Sequence, residues 1–220
     1  MKESSWRRDS ILKLIIRLKG GSGSGNYGHS GRPGEVGGSA SDGGVRRIQD
    51  ESDENYLERM SKNWASSLNS QDKAAIRWYR TGGAYEMNRQ LRTGDPVTNK
   101  YGKRILKLVN DAPVLEDSIT LYRGTGYALR ETDKGIVSTT LDFYMAKNEF
   151  AAGMPNGIVQ TLHIEPGIKL AYIDSKNSPS HGAQSEVLLE KNLHFDEISR
   201  DTRLSKGGIT LTYIKYNVHR

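Results

Sequence analysis

The sequence predicts an α+β protein, with helices first and strands after them, behind a flexible N-terminal arm. Three observations carry this. Residues 20–44 are mostly glycine and serine and cannot bury a core. Residues 49–110 carry apolar positions at helical spacing, and after Pro113 the pattern turns to short strands. Helices segregated from strands argue against a doubly wound sheet, in which the two alternate.

Bulk composition narrows the chemistry. The 220 residues include no cysteine, which excludes disulfides, thiolate metal sites and a cysteine nucleophile. The five histidines show no H-x-x-x-H spacing, so no metal site is expected. The net charge is +6, half of it before Arg46 and half after, a diffuse bias that suits an anionic ligand or an acidic partner. No segment reaches the roughly 18 apolar residues of a membrane span. The apolar run Ile11–Leu18 is interrupted by Lys13 and Arg17 and lacks a small-residue cleavage site, so no signal peptide is expected either.

Three regions follow in order. Residues 1–19 hold a basic amphipathic helix over 5–19, with Trp6, Ile11, Leu14, Ile15 and Leu18 able to share a face. It reads as a docking or membrane-surface peptide, with a helix lying on its own domain or a frayed tail as the alternatives; the glycine linker that follows favours docking. Residues 20–45 are that linker. Its GxG patterns have no strand before them and no helix after them, so they do not make a phosphate-binding loop. Residues 46–220 read as the globular domain.

Within that domain, residues 49–68 read as a helix with Tyr56, Leu57, Met60, Trp64 and Leu68 near one stripe. Asn69-Ser70-Gln71-Asp72 starts the next helix with a capping side chain and an acidic first turn, and Thr81-Gly82-Gly83 breaks it. A helix from about Tyr85 to Arg92 stops at Gly94-Asp95-Pro96, and another runs from about Tyr101 to Asn110. Strands are expected at 119–123, 135–139, 157–164, 169–172, 185–189, 193–198 and 209–216, with a short helix over 142–152.

Three of the strand pieces carry polar groups that a core strand does not need. Leu121-Tyr122-Arg123-Gly124 supplies a cation, Val137-Ser138-Thr139-Thr140 a hydroxyl cluster, and Gln184-Ser185-Glu186-Val187-Leu188-Leu189 a carboxylate with an amide two residues before it. Strand periodicity points Gln184 and Glu186 to one side and Ser185, Val187 and Leu189 to the other. Such a set suits holding a dinucleotide and breaking a glycosidic bond: a guanidinium for a phosphate, and a carboxylate for a developing oxocarbenium ion. Taken alone, Glu186 reads as a surface strand residue and Arg123 as half of a salt bridge; the company they keep gives them their weight.

These residues carry a resemblance. From about Leu68 onward the chain resembles the ADP-ribosyltransferase exoenzymes of the R-S-E type, which include C3-like and VIP2-like toxins and phage-encoded transferases. Four blocks match in order: Tyr79, Asn88, Leu91 and Arg92 in the helical part; Leu-Tyr-Arg-Gly; Val-Ser-Thr-Thr, followed by Ala146 and Phe150; and Gln-Ser-Glu-Val-Leu-Leu. The resemblance implies N-terminal helices packed on a two-sheet β-core and NAD as the substrate. It implies Glu186 as catalytic carboxylate, Ser138 as its hydrogen-bond partner and Arg123 as the organiser of the nicotinamide mononucleotide half. Gly124 would let backbone approach the nicotinamide amide, Thr139 and Thr140 would support the turn, and Tyr79 and Asn88 would join the dinucleotide contacts. Phe143 or Tyr144 would stack on nicotinamide, and Lys147 or Asn148 would reach the phosphates. Where Gln184 stands, arginine-modifying members carry glutamate; glutamine implies another acceptor, such as a protein asparagine or glutamine, another non-arginine side chain, or a nucleobase. The loop 174–183 ahead of it would contact that acceptor.

The expected function is therefore an NAD-dependent mono-ADP-ribosyltransferase. An NAD glycohydrolase and a non-enzymatic virion docking module are the alternatives. The segment Gly28–Gly34 with Gly37-Gly38-Ser39 resembles a stretch of head-associated proteins of tailed bacteriophages. With the helix at 5–19 as a capsid tether, this places the expected protein in a phage virion or the host bacterial cytoplasm.

Overall fold

The structure is a computed structural model that describes residues 45–174, 184–204 and 208–220. The expected helix at 5–19, the glycine linker and most of the loop 174–183 lie outside the described residues.

Four helices come first. Helix α1 (Asp53–Ser67) starts later than expected because Asp50 takes a left-handed φ of 61° and Ser52 then caps the helix, accepting from the Asn55 amide. Helix α2 (Ser70–Trp78) opens on a full capping box: the Asn69 side chain accepts from the Gln71 and Asp72 amides, and Asp72 accepts from the Asn69 amide at 2.9 Å. The expected break takes the form of a π-turn, Tyr79–Gly83, in which Thr81 (φ −91°, ψ 21°) and Gly82 (φ 115°) leave helical geometry. Helix α3 (Ala84–Thr93) resumes and ends on left-handed Gly94. Helix α4 (Lys100–Asn110) is capped by Asn99.

The strands are β1 (Ile119–Thr125), a short β2 (Thr132–Asp133) that the sequence reading omits, β3 (Val137–Thr140), β4 (Ile158–Ile164), β5 (Leu170–Tyr172), β6 (Glu186–Leu189), β7 (Leu193–Leu204) and β8 (Thr210–His219). The helix expected over 142–152 is a π-helix, Met145–Ala151. Strand β6 starts at Glu186 because Ser185 has a left-handed φ of 47°. The hairpin β7–β8 is longer than expected at both ends, and its register shifts at Glu197/Ser199.

The sheet order is β2-β7-β8-β4-β1-β3-β6-β5, antiparallel except for β4 with β8. The two-sheet expectation takes a particular form here. The groups β2-β7-β8-β4-β1 and β3-β6-β5 join at a single register pair, Tyr122 with Thr140, so hydrogen bonding makes one eight-stranded sheet. Strand β1 instead pairs with β4 along its whole length.

Strands β5 and β6 are buried on both faces, and alternation divides their side chains between two cores. Leu170, Tyr172, Val187 and Leu189 pack with Tyr56, Leu57 and Met60 of α1. Ala171, Ile173 and Leu188 face the opposite core, with Ile76, Tyr79, Met87 and Ile105 from the other helices. Glu186 has the parity of Leu188, so it starts from the face that the π-turn covers.

Candidate active site

Glu186 sits at the head of β6, only 8% exposed. Ser138 lies on the neighbouring strand opposite Leu188, one diagonal step from Glu186 on the same face. Its hydroxyl donates to Glu186 Oε1 at 2.5 Å. The other oxygen, Oε2, accepts from Arg80 Nε at 3.0 Å. Arg80 comes from the π-turn and also pairs through Nη2 with Asp174, a fully buried carboxylate just past β5. Asp174 in turn accepts the Glu186 amide through Oδ2 at 3.0 Å.

Arg123 on β1 reaches the same strand from the other side. Its Nη1 donates to the Ser138 carbonyl at 2.7 Å and its Nη2 to the Tyr127 hydroxyl at 2.9 Å. The guanidinium also lies 5.6 Å from the centre of the Tyr127 ring. This positive charge holds the Tyr127 phenol below its usual range. Arg123 Nε is buried with no hydrogen-bond partner.

Thr139 and Thr140 fasten backbone. Thr139 Oγ1 donates to the Val187 carbonyl at 2.8 Å; Thr140 Oγ1 donates to the Gln184 carbonyl at 2.6 Å and accepts the Asp142 amide at 3.0 Å. Gln184 is therefore held by its backbone beside the end of β3. The expectation that Gln184 and Glu186 share a face through strand periodicity does not apply, because Ser185 is left-handed and the alternation starts only at Glu186.

Three further candidates have structural duties. The Asn88 amide group brackets Ile136: Nδ2 donates to its carbonyl at 3.0 Å, and Oδ1 accepts its N–H at 2.8 Å. Gly124 is needed by the fold itself, since a Cβ there would lie 1.9 Å from the Ala146 carbonyl oxygen of the π-helix and 2.6 Å from Phe150 Cβ. Phe143 packs edge-on against Tyr122 at 5.4 Å and joins a small core with Ala151, Val159 and Leu211, while its neighbour Tyr144 is exposed. Tyr79 is buried and its hydroxyl has no hydrogen-bond partner; burial pushes its phenol well up.

Sequence reasoning missed Arg80, Tyr127 and the role of Asp133, and it set Asp174 at the start of the acceptor loop, whereas that carboxylate is fully buried and bonded inward. Arg92, part of the helical block, makes a bidentate pair with Asp133 at 2.9 Å on each oxygen. Burial alone would raise the Asp133 carboxyl, but the Arg92 fork and the Gly135 amide outweigh it and hold Asp133 low. Among the described residues, no group of three or more His, Asp or Glu side chains is placed to hold a metal, and no helix is long and apolar enough to cross a membrane.

The described residues bring an arginine on β1, a serine on β3 and a glutamate on β6 together under a helical layer, and structural comparison finds the fold of ADP-ribosyltransferase toxins. Plx2a, an ADP-ribosyltransferase toxin from Paenibacillus larvae, superposes with a TM-score of 0.57 at 20% identity, over 79% of this chain and 100% of its own. C3stau2 from S. aureus, solved with NAD, gives 0.54 at 22%, over 81% and 100%. C3larvin, an ADP-ribosyltransferase from Paenibacillus larvae, gives 0.52 at 21%, over 74% and 94%. Neither a protein-family model nor a curated protein matches the sequence.

Proposed function

We propose that this protein is an NAD-dependent mono-ADP-ribosyltransferase acting on a non-arginine acceptor. The observation that carries the reading is the Glu186 carboxylate, held by Ser138 on one oxygen and by Arg80 on the other, one strand away from the Arg123 guanidinium. The fold shared with C3stau2, solved with NAD, supports NAD as the substrate.

The donors suit that substrate. Arg123 Nε and the Tyr79 hydroxyl are buried polar groups without partners, and a dinucleotide offers phosphate and ribose oxygens to such groups. In the reaction the bond between nicotinamide and ribose breaks and its electron pair leaves with nicotinamide. The anomeric carbon then bonds to the acceptor, whose proton goes to solvent. An ionised carboxylate has about four lone-pair sites. Ser138 and Arg80 occupy one on each oxygen of Glu186, which leaves capacity for a ribose hydroxyl and for offsetting positive charge at the anomeric carbon.

Gln184 bears on the acceptor. Its amide both donates and accepts but cannot take a proton, which suits a carboxamide or a nucleobase edge better than a guanidinium. Incubation with labelled NAD and a bacterial lysate tests the reading. Transfer of label by the wild type and its loss in Glu186→Ala is the expected result; no transfer, or full transfer by the variant, refutes it. Free ADP-ribose without labelled macromolecule would instead make water the acceptor. Delivery from a virion through residues 5–19 rests on the sequence pattern alone; deletion of residues 1–44 should abolish packaging and leave NAD chemistry intact.

A further inference from the structure

We propose that Arg80 and Asp174 form a positioning pair for Glu186, so that both the backbone and the carboxylate of that residue are tied to one buried anion. The proposal rests on the reading of Glu186 as the catalytic carboxylate.

The geometry is a closed ring. Asp174 Oδ2 accepts the Glu186 N–H at 3.0 Å, at the point where the β5–β6 ladder runs out after the Ile173 amide has bonded the Glu186 carbonyl at 3.1 Å. Asp174 Oδ1 accepts from Arg80 Nη2, and Arg80 Nε donates to Glu186 Oε2 at 3.0 Å. One guanidinium thus spans two carboxylates, using two nitrogens of its rigid fork. Neutralising a buried Asp174 would require only one of those contacts. The second, together with Ser138 on Oε1, fixes the Glu186 side chain from two directions.

The local sequence explains how Arg80 gets there. Right-handed helical angles carry on from α2 through Trp78 and Tyr79, and the chain leaves helical geometry only at Thr81 and Gly82, so Arg80 projects from the last helical residues before the break. The Arg80 side chain is 23% exposed and Asp174 is 0% exposed, so the anion is sheltered while the guanidinium borders solvent. A positioning role follows from the demands of the chemistry, because a reacting group must be held within about 0.5 Å of its productive place.

The test compares the full-length wild type with Arg80→Lys and with the charge-neutral double variant Arg80→Met/Asp174→Asn. The double variant removes the fully buried Asp174 charge together with the cation that neutralises it. Nicotinamide release gives kcat and KM, calorimetry gives the Kd for NAD, and a crystal structure of the double variant reads the Glu186 rotamer. The expected result is a fall in kcat of about tenfold to a hundredfold, with KM and Kd for NAD within about threefold and Glu186 displaced from Ser138. Arg80→Lys, which lacks the fork, should lie between the two. An unchanged kcat, a loss of NAD affinity that matches the loss of rate, or a Glu186–Ser138 bond undisturbed in the double variant overturns the proposal. A wild type that releases no nicotinamide refutes the proposed function instead, and the positioning is then judged on the rotamer.

Discussion

Asn88 separates a ligand contact from a structural brace. The sequence resemblance assigns it to NAD, whereas the structure spends both halves of its amide on Ile136, at the threshold of β3. Asn88→Ala removes two hydrogen bonds of about 1 kcal/mol each and leaves the N–H and C=O of Ile136, a residue 2% exposed, without those partners. Allowing for water that enters the space left behind, the cost is about 2–4 kcal/mol. For a domain of this size that lowers Tm by roughly 5–15 °C. Thermal unfolding followed by circular dichroism measures it, with calorimetry on the same sample for NAD. Asn88→Asp keeps an acceptor for the Ile136 N–H but sets a carboxylate against its carbonyl, so it should be no more stable than the alanine variant. A Tm within about 2 °C of wild type, with NAD binding abolished, would refute the brace and restore Asn88 as a direct contact.

Other outcomes follow from the same geometry. Gly124→Ala should destabilise by about 1–3 kcal/mol or more, because the added Cβ meets backbone atoms of the π-helix that cannot swing aside; chemical denaturation checks it. Ser138→Ala removes a hydrogen bond to a charged group worth about 1.5–3 kcal/mol, so nicotinamide release should fall about tenfold to a hundredfold. Asp133 has a lowered carboxyl pKa in the folded protein, so its pair with Arg92 stabilises the fold above the unfolded value of about 3.9 and that stability is lost as pH falls through the folded pKa. Asp133→Asn should therefore be less stable than wild type near neutrality and lose less of its Tm on acidification below about pH 4. Tyr127→Phe should shift the acidic end of the phenol titration, read by ultraviolet absorbance, by removing the tyrosine that Arg123 holds low.

Much of the scaffold was legible because its signals are local. The cap at Asn69, the acidic first turn at Asp72 and the stop at Gly94 depend on residues a few positions apart. Both strands of the β7–β8 hairpin were expected, but the hairpin's full length was not legible. Its outer half carries Glu197, Arg200, Asp201 and Arg203 on exposed positions, where ladder bonds and short-range ion pairs replace apolar alternation. In the site, the strand motifs pointed to Arg123, Ser138 and Glu186, but Arg80 and Asp174 lie 94 positions apart and meet only in the fold. The available signal was indirect: an arginine placed immediately before a Thr-Gly-Gly helix break, and an aspartate at a strand end. Gly124 was singled out for the right property, the lack of a side chain, but the neighbour that requires it is the π-helix.

The weakest seam in the sheet lies where the candidate chemistry is. Strands β1 and β3 share only the pair Tyr122–Thr140, so beyond it the Ser138 carbonyl has no strand partner on the β1 side. Arg123 supplies the missing donor, bonding that carbonyl at 2.7 Å. A continuous ladder would have satisfied the same carbonyl with a backbone amide and left no place for a guanidinium between the strands. A similar substitution closes the far side of β6, where the Asp174 carboxylate accepts the Glu186 amide at the end of the β5–β6 ladder. At both positions a charged side chain takes over a hydrogen bond that sheet pairing has given up. The splay of the sheet thereby turns into a fixed arrangement of two cations, Arg80 and Arg123, and two anions, Asp174 and Glu186, beside Ser138. The fold tolerates the break because the Thr139 and Thr140 hydroxyls, bonded to the Val187 and Gln184 carbonyls, keep β3 on β6.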